Sequence, residues 1–125
     1  MASPTTTVLV VDDEPAVRML ARRMLESGGY RVFEAEDGLD ALRVLGEQGP
    51  FDVVVSDIRM PHMDGRALAA YLAHLPTPIP TLLVSGFAEQ QMTEPVLRKP
   101  FDFTQLLSRV QEITSWPREL GSRTS

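Results

Sequence analysis

Four apolar runs in the chain each lead into a polar residue. Val8-Leu9-Val10-Val11 precedes Asp12 and Asp13, Val53-Val54-Val55-Ser56 precedes Asp57, Leu82-Leu83-Val84 precedes Ser85, and Val96-Leu97-Arg98 precedes Lys99. Short β-branched runs alternate with segments of helical period, the pattern of βαβ units and a parallel sheet. Strands are predicted at Thr7 to Val11, Arg31 to Ala35, Asp52 to Ser56, Thr81 to Ser85 and Val96 to Arg98. The first, third and fourth read as continuous apolar runs buried on both faces, which makes them the central strands.

Between the first two strands, Pro15 to Ser27 carries Val17, Leu20, Ala21 and Met24 at helical spacing, starting near Asp13 and stopping at Gly28-Gly29. Leu39, Leu42 and Leu45 mark a second helix ending near Gly46 to Gly49. Leu68, Tyr71, Leu72 and Leu75 mark a third, closed by Pro76 and Pro78. A last helix follows Asp102 as N-cap, with Leu106, Leu107, Val110 and Ile113 as its core stripe. From Trp116-Pro117 onward a frayed tail or linker stub is expected. Only ten residues, Gly86 to Pro95, separate the fourth and fifth strands. That is at the floor for a right-handed crossover, so any helix there is confined to about Ala88 to Met92 by Gly86 and Pro95.

A chain of 125 residues is one domain by length and needs no disulfide or metal to complete its core. A hydrophobic content of 43% with 23% charged residues is ordinary for a globular protein and selects no function. The net charge of -5 argues against a nucleic-acid surface, which needs a basic patch. Zero Cys removes disulfides and thiol chemistry. No signal-peptide pattern and no run of membrane-spanning length is found, so a cytoplasmic protein with no membrane contact is expected.

In a parallel α/β sheet the carboxyl ends of the strands share one edge, where ligands bind at the topological switch point. Asp12, Asp13, Asp57, Ser85 and Lys99 can therefore share one pocket. Three carboxylates together repel unless a cation compensates. Mg2+ suits them, being a hard ion held by a few carboxylates and phosphate oxygens. An ionised carboxylate can also attack phosphorus, with Mg2+ and a Lys neutralising the transferring group. Lys99 supplies such a charge and Ser85 a hydrogen-bond donor. Three aspartates and one lysine carry a net -2, which a divalent ion brings to zero.

Together, Asp12-Asp13, the segment Asp57-Ile58-Arg59-Met60-Pro61-His62-Met63-Asp64-Gly65, Ser85-Gly86 and Lys99-Pro100-Phe101 resemble the receiver domain of two-component response regulators, over about Val8 to Ile113. The resemblance implies an α/β fold: a single doubly wound, five-stranded parallel sheet of flavodoxin-like order 2-1-3-4-5. Residues 7–115 would form the receiver, residues 1–6 a disordered lead and 116–125 a tail or linker stub. It makes Asp57 the phosphoacceptor, Asp12 and Asp13 the acidic Mg2+ pair, and the backbone carbonyl of Arg59 a further metal ligand. Ser85 would contact the phosphoryl oxygens and Lys99 would pair with them, across a cis Lys99-Pro100 peptide. Asp64-Gly65 would turn the loop into the third helix. The implied protein is a regulatory phosphoacceptor, catalysing only its own phosphorylation and dephosphorylation, with a histidine kinase or histidine phosphotransfer domain as donor and an output partner not identified.

Two departures bear on transmission. Family members usually carry Tyr or Phe three residues before the Lys, where this chain has Val96. The shortened fourth crossover also removes much of a face that many relatives use to dimerise or grip an output domain. Both features leave room for an alternative, a phosphorylation-independent interaction module on the same fold. A haloacid-dehalogenase-like hydrolase is disfavoured because Arg59 stands where that class expects a second Asp. A flavin or dinucleotide carrier is disfavoured because no Gly-rich phosphate loop follows the first strand. Arg18 and Arg22, one turn apart, read either as part of a kinase-docking surface or as a solvated face. His62 reads as solvent-exposed rather than as a gate to the phosphoryl group, and His74 as surface.

Overall fold

The computed structural model describes residues 5–85, 96–98 and 101–124; the side chains of 96, 98, 103 and 116–124 lie outside that description. The elements run β1 (Thr7–Val11), α1 (Pro15–Ser27), β2 (Arg31–Ala35), α2 (Gly38–Gln48), β3 (Val53–Asp57), α3 (Gly65–Ala73), β4 (Thr81–Ser85), β5 (Val96–Arg98) and α4 (Phe103–Thr124). Every strand pairing is parallel, in the order β2-β1-β3-β4-β5. The body of the sheet is four strands of five residues, and the three-residue β5 pairs along β4.

Continuous apolar strands serve both faces because successive side chains point to opposite sides. Val8, Val10, Val53, Val55, Leu82 and Val84 pack with Ala21 and Leu25 of α1 and Leu106 and Val110 of α4. The alternate residues Leu9, Val11 and Val54 pack with Ala41 and Val44 of α2 and Leu68 and Leu72 of α3. Among the described residues two helices thus cover each face, the doubly wound arrangement.

Local chemistry sets the helix boundaries. Asp37 caps α2 by accepting from Asp40 N–H, and Asp64 caps α3 by accepting from Ala67 N–H. At α4, Asp102 Oδ1 accepts from Gln105 N–H at 2.8 Å while Gln105 Oε1 accepts from Asp102 N–H at 2.9 Å, a reciprocal capping box at the expected N-cap.

Three expectations need correction. Leu20, Leu39 and Tyr71 are about half exposed, because the buried stripes centre on Ala21 and Leu25, on Ala41 and Val44, and on Leu68 and Leu72. β3 begins and ends one residue later than predicted and includes Asp57. The tail expected from Trp116 is helical backbone as far as Thr124. Pro117 has no N–H to donate to the Ile113 carbonyl. Gly86 to Pro95, where the shortened crossover is predicted, and Lys99-Pro100 with its expected cis peptide lie outside the described residues.

Candidate metal and phosphoryl site at the carboxyl edge of the sheet

β1 and β3 are adjacent, with Val11 in register with Ser56, so Asp12 and Asp57 emerge side by side. One carboxylate oxygen from each of Asp12, Asp13 and Asp57 lies within 4.8 Å of the other two. Asp12 and Asp57 are 4% and 8% exposed, whereas Asp13 is open to solvent. Two carboxylates are therefore partly desolvated beside a third that faces water. A hard divalent cation with open coordination positions matches that donor set, so the residues present fit Mg2+.

The acidic turn is held on several sides. Asp12 N–H donates to the Ala35 carbonyl at 3.2 Å, Asp12 Oδ1 accepts from Glu14 N–H at 2.9 Å, and the Arg18 guanidinium donates to the Asp12 carbonyl at 2.6 Å. Pro15 opens α1 immediately afterwards, where a missing N–H costs nothing. Glu14, rather than Asp13, is the N-cap, and it makes no side-chain cap bond. Asp13 is thus not used as the cap, while Asp12 Oδ1 supports the turn through Glu14 N–H.

Asp57 is fixed by the sheet and by the start of α3. Its register partner is Val84, and Ile58 N–H continues the ladder by donating to the Val84 carbonyl at 3.1 Å. Gly65 N–H donates to the Ile58 carbonyl at 2.8 Å, and a Cβ on Gly65 would overlap the Asp57 carbonyl oxygen. Gly65 is needed for that close approach. Ser85, the last residue of β4, is buried at the same edge one residue beyond the register partner of Asp57. Arg59 is exposed and lines a cleft of about 310 Å³ with Ile58, Met60, Asp64 and Arg66. Lys99 lies outside the described residues.

His62 has an exposed side chain, as expected, and also a contact that the sequence did not reveal. It sits at φ 71, with Nδ1 3.2 Å from Oδ2 of Asp37, linking the loop after β3 to the cap of α2. His74 is exposed on α3's C-terminus, its Nδ1 2.7 Å from the Ala70 carbonyl. Arg18 and Arg22, one turn apart on α1, both engage Glu34 of β2. Arg18 Nε meets Glu34 Oε1 at 2.9 Å and Arg22 Nη1 meets Glu34 Oε2 at 2.8 Å. The hydrogen bond from Arg22, reinforced by that from Arg18, outweighs partial burial and holds the Glu34 carboxyl below its ordinary range. The only sequence signal for Glu34 was an acid inside a strand flanked by Phe33 and Ala35.

A doubly wound parallel sheet carrying a divalent-cation-compatible acidic cluster where β1 and β3 part company defines a flavodoxin-like α/β domain with its site at the switch point. The chain belongs to the response regulator receiver domain family, whose model matches residues 8–111. It is 42% identical over 120 residues to the sensor kinase CckA of Brucella abortus, covering 89% of this chain and 13% of that protein. The chain thus corresponds to a small part of that relative's length. Among solved structures, the receiver domain of the hybrid histidine kinase CckA superposes with a TM-score of 0.74 at 37% identity, covering 87% of this chain and 99% of that one. The response regulator TrrA of Thermotoga maritima, solved in complex with Mg2+ and BeF, superposes with a TM-score of 0.79 at 28% identity over 87% and 99% of the two chains. Among the described residues no helix is long and apolar enough to cross a membrane.

Proposed function

We propose that this chain is a phosphoacceptor switch of a two-component or phosphorelay system, accepting a phosphoryl group on Asp57 from a histidine kinase or histidine phosphotransfer domain in a Mg2+-dependent reaction. The observation that carries this reading is the convergence of three carboxylates at the switch point of a receiver-family sheet. An Asp57 oxygen attacks phosphorus in line, the bond from phosphorus to the donor's imidazole nitrogen breaks, and its electron pair leaves with the imidazole. Bound Mg2+ would be held by Asp12, Asp13, Asp57 and the backbone carbonyl of Arg59, and would neutralise the transferring oxygens. Ser85 donates its hydroxyl to a phosphoryl oxygen and Lys99 pairs with the new charge. Replacing one carboxylate charge by roughly -2 biases the surrounding loops. The chemistry extends no further than the domain's own phosphorylation and dephosphorylation.

The relatives named as a sensor kinase and a hybrid histidine kinase support a histidine-kinase donor; the setting proposed is cytoplasmic. Residues 7–115 are the proposed receiver unit. Val96 in β5 favours one competing reading, a phosphorylation-independent interaction module, because the usual aromatic relay has no counterpart there. Intact-mass spectrometry after incubation with a small-molecule phosphodonor, with and without Mg2+, separates the two. The switch gives a single Mg2+-dependent phosphoryl adduct that D57N abolishes; the module gives none.

A further inference from the structure

We infer that Arg18 is a positioning residue for the acidic turn, setting its Mg2+ affinity through the backbone of Asp12; this rests on the reading of Asp12, Asp13 and Asp57 as the Mg2+ site. One guanidinium spans two elements, donating from Nη1 to the Asp12 carbonyl at 2.6 Å and from Nε to Glu34 Oε1 at 2.9 Å. The carbonyl it holds belongs to the residue whose carboxylate faces Asp57. Arg18 therefore ties the ligand-bearing turn to α1 and, through Glu34, to β2. Its side chain is 18% exposed, so both bonds are partly shielded from water.

The neighbouring Arg22 provides a built-in contrast. It engages the other oxygen of Glu34 at 2.8 Å and Glu26 at 3.0 Å, and its interactions include no bond to the Asp12 backbone. Both arginines carry the same charge and share Glu34, but only Arg18 touches the turn. A purely electrostatic influence on a divalent ion would act through either arginine. Loss of either cation near the acidic cluster would then strengthen Mg2+ binding, because Coulomb attraction from the carboxylates would be less offset. Positioning predicts the opposite sign, at Arg18 alone. Lys at position 18 keeps the charge, yet its single ammonium cannot reproduce the fork that spans Asp12 and Glu34.

The test is calorimetric titration of the intact chain with Mg2+, comparing wild type, R18A, R18K and R22A at a temperature where circular dichroism shows all four folded. R18A should weaken Mg2+ binding roughly tenfold, the scale typical of losing an outer partner of a metal ligand. R18K should fall between R18A and wild type, and R22A should match wild type. Phosphorylation by a small-molecule donor should need correspondingly more Mg2+ for half-maximal rate in R18A, with the rate at saturating Mg2+ close to wild type. Unchanged or tighter Mg2+ binding in R18A, or equal weakening in R22A, would overturn the inference while leaving the site assignment intact. Absence of Mg2+ binding by wild type would instead overturn the site assignment, and the inference with it.

Discussion

Asp52 and Asp57 bracket β3, and their carboxylates meet opposite circumstances. At the amino end, Asp52 Oδ2 accepts from Thr7 N–H at 2.8 Å, and its own N–H donates to the Thr7 carbonyl at 2.9 Å, so the side chain stitches β3 to β1. At the carboxyl end, Asp57 joins Asp12 and Asp13 in a cluster to which each gives one oxygen within 4.8 Å of the others. One acid completes the backbone bonding of the sheet. The other joins a concentration of like charge that a divalent cation would offset. The same residue type serves structure at one edge and reactivity at the other, and the neighbouring strand ends decide which.

The largest expected contrast is in phosphorylation. D57N should lose the Mg2+-dependent phosphoryl adduct entirely, while D52A should retain it, both read by intact mass. Next comes packing around Asp57. Gly to Ala near a helix start ordinarily gains stability, but G65A would drive a methyl into the Asp57 carbonyl. It should instead lower stability by roughly 1–3 kcal/mol in urea unfolding. Retained or raised stability would show that the loop yields easily.

A third comparison pits the two edges directly against each other without divalent cation. D52A should destabilise by about 1 kcal/mol, because the Thr7 N–H loses its acceptor. D13N should stabilise by up to about 1 kcal/mol by relieving repulsion within the cluster. Thermal scans with added Mg2+ sharpen the difference: Mg2+ should raise the Tm of wild type and D52A, and raise that of D13N much less. Equal and opposite responses to these expectations would mean that the acidic cluster is already compensated from within the chain.

The smallest effect concerns acid. Glu34 titrates below its ordinary value of 4.5, chiefly through the hydrogen bond from Arg22 and then that from Arg18. A depressed folded value gives stability that is complete above the unfolded value and is lost as pH falls through the folded one. E34Q should flatten the loss of stability below about pH 4.5 by no more than about 1 kcal/mol, because the pair is partly exposed. A titration followed by unfolding midpoint checks it.

The site was legible because strand ends are legible: uninterrupted β-branched runs announce their own carboxyl termini, and Asp12, Asp13 and Asp57 stand there. The helix cap at Asp102 was readable for a similar reason, since capping is local. What sequence could not supply was rotation and partnership. Leu20 fits an apolar stripe by spacing, yet the small Ala21 and the longer Leu25 are what meet the sheet. Glu34 looked like an unremarkable strand acid until the fold placed two arginines of α1 above it. Asp52 meets Thr7 through both side chain and backbone, a pairing between residues far apart in the chain.

The anchoring of Asp57 has a mechanical corollary. Its peptide neighbourhood is tied by Ile58 N–H to β4, by Gly65 N–H to the Ile58 carbonyl, and by the Ser56 hydroxyl to the Asp57 carbonyl at 2.9 Å. The residue therefore behaves as a datum, a fixed point from which displacements elsewhere are measured. Any bulk attached to its carboxylate must be accommodated by what surrounds it, as a wedge driven against an anvil moves the looser plate.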